Sequence, residues 1–172
     1  RVRVVAVPDT AAVPAALAGA DTDLICLVDG DVEPLTAGWL DHLDRALVGP
    51  AAAATGVLVH PARPPGRATP HDLLVRAAGY EVTASAPGVP RVVAALAGAD
   101  PAAVPDGPVA LAGGGLLAVL RPALDAAGGY RPLVSADAAA ADLCLRLRRS
   151  TGGGGGGGGT VVRVGADRKS VV

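Results

Sequence analysis

Asp23-Leu24-Ile25-Cys26-Leu27-Val28-Asp29-Gly30-Asp31-Val32-Glu33-Pro34 decides how the chain is read. The apolar run from Leu24 to Val28, bounded by acids on both sides, has the length and continuity of a strand buried on both faces, which predicts a central position in a sheet. Two carboxylates one residue apart, Asp29 and Asp31, follow at once. The ends of strands are where α/β folds place ligands. Carboxylates at i and i+2 of an extended turn can face one hard divalent cation, and Mg²⁺ or Mn²⁺ held by one or two carboxylates completes its shell from diphosphate oxygens and water. A plain turn is the competing reading, because Asp and Gly favour turns through local hydrogen bonding and φ > 0. A calcium loop of the EF-hand kind is excluded, since no ligands follow at its spacing and no Glu closes it.

Outward from this stretch the pattern alternates. Arg1-Val2-Arg3-Val4-Val5-Ala6-Val7 reads as the middle of a strand and Thr10 to Ala20 as a helix. On the other side, Leu40, Leu43 and Leu47 form one apolar stripe of a helix between Leu35 and Val48. Ala51 to Val59 reads as a further strand. Residues 61–107 are broken repeatedly by proline and predict a long surface excursion with one or two short helices, the kind of segment that carries substrate contacts. Val109 to Leu120 reads as a strand interrupted by Gly113-Gly114-Gly115. A helix then begins at Pro122 and ends at Gly128-Gly129. From Ala138 to Arg149, Leu143, Leu145 and Leu147 fit a period of two, but the alanine run before them favours helix. Such alternation implies an α/β layer fold.

At 172 residues the chain has the length of one domain. It contains no Met, Phe, Asn or Gln, one Ile and one Lys, with Ala, Gly, Arg, Pro and Val in excess. This looks like translation from a very GC-rich genome, and its physical consequence is a core of small side chains. The missing Met and the mid-strand opening predict that sequence precedes Arg1. No stretch reaches the roughly 18 apolar residues of a membrane span. Fifteen basic against sixteen acidic residues, with the arginines scattered, leave no basic stripe for nucleic acid. Cys26 and Cys144 match no metal-ligand spacing and read as buried free thiols.

Gly152 to Gly159 is a glycine run that no packed element tolerates, so it reads as a flexible insert or a sequence error. The last six residues, Asp167 to Val172, can be written GAT CGG AAG AGC GTC GTG, the start of a common sequencing adapter. The expected organisation is therefore a partial domain over 1–150, a glycine-rich insert over 151–159, a last strand over 160–166 and an adapter-derived tail over 167–172.

Three blocks together resemble glycosyltransferase family 2. The first is Asp23 to Pro34 with Gly38-Trp39-Leu40, which looks like that family's strand, its Asp-x-Asp motif and the following helix. The second is Leu111-Ala112-Gly113-Gly114-Gly115-Leu116-Leu117, with Arg121-Pro122-Ala123-Leu124 and Gly128-Gly129-Tyr130. The third, Asp142-Leu143-Cys144-Leu145-Arg146-Leu147-Arg148, is similar to the helix that carries the Glu-Asp-x-Asp-Leu motif. The blocks stand in the family's order over roughly residues 1–165.

The resemblance implies a GT-A-type, Rossmann-like α/β fold, with a mixed, mostly parallel sheet flanked by helices and cut short at both ends of this sequence. It further implies an inverting transferase that moves a sugar from a nucleotide-sugar donor to an acceptor hydroxyl of a glycan or lipid-linked acceptor, in cell-wall or polysaccharide synthesis. Such an enzyme would work in the cytoplasm or at the inner face of the plasma membrane. Asp31 would bind Mg²⁺ or Mn²⁺, and Asp29 the same metal or the donor's ribose. Gly113 and Gly114 would lie on the acceptor side, although a bulge explains them equally well. The third block departs from the family: with Asp142 aligned to the motif's last acid, Ala139 and Ala140 stand where Glu and the catalytic Asp are expected. Asp137 and Asp142 are then the acids available for catalysis, and a helix cap is the competing role for Asp137. Trp39 follows the apolar stripe and reads as core. A non-catalytic GT-A-like domain that binds a nucleotide-sugar, and a sugar nucleotidyltransferase, stay open as alternatives.

Overall fold

The computed structural model describes residues 3–35, 37–61, 73–86, 89–150 and 159–164. The glycine run up to residue 158 and the tail 167–172 lie outside them. In chain order, a 3-10 turn at Thr10–Ala12 leads into α1 (Val13–Ala18), then β1 (Leu24–Val28), α2 (Trp39–Ala46), β2 (Ala51–Thr55), β3 (Leu58–Pro61), β4 (Leu73–Ala77), β5 (Tyr80–Ala86) and β6 (Val89–Ala94). A second 3-10 turn at Pro101–Ala103 precedes β7 (Gly107–Pro108), β8 (Leu116–Leu120), α3 (Arg121–Ala126), α4 (Ala136–Ser150) and β9 (Thr160–Arg163).

The main sheet runs β1-β8-β2-β9-β7. Successive side chains of a strand point to opposite faces, and two cores result. On one face Ala53, Leu117, Val119 and Val161 pack against Leu124 of α3 and Leu143, Cys144 and Leu147 of α4. On the other, Ala51, Ala54 and Ala118 pack against Leu43 and Leu47, with Trp39 half-buried beside them. The chain is thus an α/β protein, a mixed sheet with helices on both faces. Alanine fills all but the last position of β2, and every residue of that strand is buried. Small side chains there let α2 and α4 approach the sheet closely.

Four expectations need correction. The sheet is mixed but not mostly parallel: only β2 and β9 pair in parallel, and the other three pairings are antiparallel. The cause is β8, which returns from the long excursion and inserts between β1 and β2, antiparallel to both. For the same reason β1 is, among the described residues, an edge strand rather than a central one. Its two-faced apolar run records helices above and below it, not strands on either side. Residues 3–7 form no strand; Val4 is 89% exposed, and nothing among the described residues pairs with this segment. Finally, the excursion holds two-stranded ribbons, β3 with β4 and β5 with β6, and its one described helical element is the 3-10 turn. The ribbon pairs Val82 with Val92 and Thr83 with Arg91. Neighbouring β-branched residues, Val82 and Thr83 on one strand and Val92 and Val93 on the other, outweighed the prolines, which an isolated ribbon tolerates because its edges carry no ladder.

The remaining elements differ in extent. The expected strand from Ala51 to Val59 divides at Gly56 and Val57 into β2 of the main sheet and β3 of a ribbon. Of Val109 to Leu120 only Leu116–Leu120 is strand. The helix from Thr10 to Ala20 is a 3-10 turn plus α1, started by the Asp9 carboxylate, which accepts from the Ala12 N–H at 3.0 Å. In α4, Leu143 and Leu147 are buried and Leu145 is 42% exposed, the spacing of a helix and not of a strand. Among the described residues no helix is long and apolar enough to cross a membrane.

Candidate functional site

The site builds up from the C-terminal end of β1. The Asp29 N–H donates to Gly115 O at 3.1 Å, which carries the β1–β8 pairing one step beyond the strands. The Val32 N–H donates to Asp29 O at 3.0 Å and closes a turn, and the Gly30 N–H donates to Asp29 Oδ1 at 2.8 Å. The carboxylates of Asp29 and Asp31 are both exposed. Asp29 therefore does what an Asp in a plain turn does with one oxygen, and the other has no partner among the described residues.

Gly113, Gly114 and Gly115 cross in front of this turn, and each is a point of close approach. A Cβ on Gly115 would lie 2.7 Å from Leu58 Cδ1. One on Gly114 would lie 2.4 Å from the Ala136 carbonyl carbon and 2.5 Å from the Asp137 nitrogen. One on Gly113 would lie 2.4 Å from Tyr80 Cε2. None of these three requires positive φ. Their small size admits the first turn of α4, the Tyr80 ring and Leu58, rather than a bulge. Behind them, the buried Cys144 Sγ accepts from the Ala112 N–H at 3.3 Å and ties α4 to the glycine segment.

Asp137 joins the site through this contact: its Oδ1 accepts from the Gly114 N–H at 2.7 Å. It is not the helix cap. Ser135 caps α4, with Oγ accepting from the Ala138 N–H at 3.2 Å and its carbonyl from the Ala139 N–H at 3.1 Å. Asp137 sits inside the first turn, exposed, where a negative charge is also favoured by the helix dipole. Asp142 sits elsewhere. It receives Arg146 Nε at 2.8 Å, while Arg146 Nη1 donates to Ala127 O and to Gly129 O at 2.7 Å. Asp142 thus orients an arginine that fastens α3 to α4.

A groove of about 860 Å³ runs along β1, and Asp29, Gly30, Gly114, Tyr130, Ala136 and Ala140 lie along it. The first two sequence blocks reach this groove, and α4 borders it through Ala136 and Ala140, whereas Asp31, Asp137 and the third block lie outside its lining. Ala140, 3% exposed, faces it from the position where the family's catalytic Asp is expected. Among the described residues no group of three or more His, Cys, Asp or Glu is gathered for a metal. Tyr80, Ser135, Cys144 and Arg146 were not marked as site or support residues by sequence. Tyr80 falls in the proline-broken excursion, where no periodicity singles it out, and the others act through long-range contacts. No family model, curated protein or solved structure matches the chain.

Proposed function

We propose that the chain is a glycosyl-transferring domain that binds a nucleotide-sugar at Asp29 and Asp31 and activates an acceptor hydroxyl with Asp137. One observation carries this reading: residues far apart in sequence converge at one end of β1, where Asp29 is bonded to Gly115 and Gly114 to Asp137. The motif order in the sequence supports it, since the first two motifs line one groove and α4 borders it at Ala136 and Ala140.

The donor set fits Mg²⁺ or Mn²⁺. Asp31 and the second oxygen of Asp29 supply hard, exposed carboxylates, and such ions take one or two of these and fill their shells with water and phosphate. When bound, the cation would neutralise charge on the departing diphosphate. Asp137 is held by a single donor at Oδ1, and Oδ2 has no partner among the described residues. A carboxylate so placed can take the proton from an acceptor hydroxyl, a contribution of about 10²- to 10⁴-fold in rate. Nucleotide-sugar binding without transfer is the second reading, favoured by the alanine at position 140.

Calorimetry with UDP and with GDP, each with and without MnCl₂, tests the donor site. Metal-dependent binding that disappears in Asp31→Ala is expected. Binding that is indifferent to the metal and to the mutation removes the reading.

A further inference from the structure

We propose that Tyr80 is the platform on which the sugar ring of the acceptor packs, so that a ring hydroxyl lies beside Asp137; the assignment rests on the glycosyl-transfer reading. Tyr80 belongs to none of the three blocks. It begins β5, and its backbone is fixed by a reciprocal bridge to Leu111, with Tyr80 N–H to Leu111 O at 2.8 Å and Leu111 N–H to Tyr80 O at 3.0 Å. Gly79 before it turns at φ +82°, with its Cα packed so closely on Val109 that a Cβ would meet Val109 Cγ1 at 2.8 Å. The ring is therefore delivered by a rigid turn.

It is delivered onto Gly113, where a Cβ would lie 2.4 Å from Cε2 and 3.2 Å from both Cζ and Oη. The ring fills the space of the missing side chain. The next residue, Gly114, holds the Asp137 carboxylate. Phenol and carboxylate thus stand over consecutive glycines. Burial and then the nearby charge of Asp137 raise the phenol's pKa, with Arg76 opposing, so the O–H stays protonated and able to donate. Tyr80 is only half-buried, so the core does not use all of its surface.

A pyranose presents an apolar C–H face and a rim of hydroxyls. A ring with one apolar face and a polar tip beside a carboxylate complements both. The donor's metal and diphosphate are assigned to Asp29 and Asp31, which leaves this plate for the acceptor.

Saturation-transfer NMR with methyl β-D-glucopyranoside and methyl β-D-galactopyranoside tests this, alongside Mn²⁺–UDP calorimetry on the same samples. Transfer from the Tyr80 ring protons to glycoside C–H protons is expected. Affinity should fall roughly tenfold in Tyr80→Leu and stay within about threefold in Tyr80→Phe, with Mn²⁺–UDP binding unchanged in both. If Tyr80→Leu does not fold, the wild-type transfer pattern and Tyr80→Phe still decide. Glycosides that bind equally well without the ring, or do not bind while Mn²⁺–UDP does, overturn the platform and leave the transfer reading intact. Glycoside contact at Tyr80 without Mn²⁺–UDP binding sinks the transfer reading alone.

Discussion

Gly114 is the residue at which the site tolerates least change. A Cβ there would press on the backbone of α4 at Ala136 and Asp137, whereas at Gly113 it would press on the Tyr80 ring, which can swing. Gly114→Ala should therefore cost about 1–3 kcal/mol in urea unfolding, and Gly113→Ala clearly less; equal costs would mean that the helix can retreat as easily as the ring. The two acids of α4 should separate as sharply. Asp137→Asn keeps an oxygen for the Gly114 N–H and should leave the melting temperature nearly unchanged, while removing about two to four orders of magnitude of transfer. Asp142→Ala should do the reverse: it strips a carboxylate from Arg146, whose side chain is 11% exposed, and should cost about 1–3 kcal/mol with donor binding intact. Turnover lost in Asp142→Ala at unchanged stability would exchange the two roles. At this scale, the turn at Asp29 and the close approach at Gly113 and Gly114 were legible, because few residue types turn or pack as they do. Tyr80 was not, because its importance lies in a contact with a residue 33 positions away.

At the scale of elements, β1 and α4 carry the two thiols, and both are buried free cysteines or nearly so. Burial pushes the Cys26 thiol from 9.0 up to about 11 and raises Cys144 as well. A thiol whose folded pKa exceeds its unfolded one contributes stability that is full below pH 9 and is lost as pH rises toward 11. Urea unfolding under reducing conditions should therefore show stability falling across that window, and the fall should be shallower in Cys26→Ala. An identical slope in the variant would show that Cys144, Tyr80 and Tyr130, whose pKa values are also raised, account for all of it. The helix α4 was legible because its alanines have high helix propensity and Leu143 and Leu147 suit a helical face. The placement of β1 was not. An apolar run reports what lies above and below a strand, whereas its neighbours in the sheet are chosen by pairing with β8, a strand about ninety residues later. Parallel and antiparallel partners bury the same side chains, so the sequence pattern could not distinguish them.

For the whole molecule, the position of β1 at the edge of the sheet among the described residues predicts a tendency to associate. The strand lines the groove, and Arg3, Val5 and Val7 line it too, at a period of two. An exposed strand edge is a template for another chain. Net charge is −1, so little overall repulsion opposes contact. What opposes it is local: Asp21 and Asp23 precede the strand and Asp29 and Asp31 follow it. In an antiparallel pair of β1 edges, these acids would face each other across the contact. Their repulsion reaches about 30 Å at 0.01 M salt and about 8 Å at 0.15 M. Light scattering should accordingly find smaller species at low ionic strength and growth as salt is added, the opposite of an association driven by ion pairs. Val28, 43% exposed at the end of β1, offers a variant that leaves the cores untouched. Val28→Glu adds one more like charge to the edge and should move the onset of association to higher salt at unchanged melting temperature. Association that weakens with salt, or that Val28→Glu leaves where it was, would place the contact on another surface, with the exposed Val4 and Val134 the next to mutate.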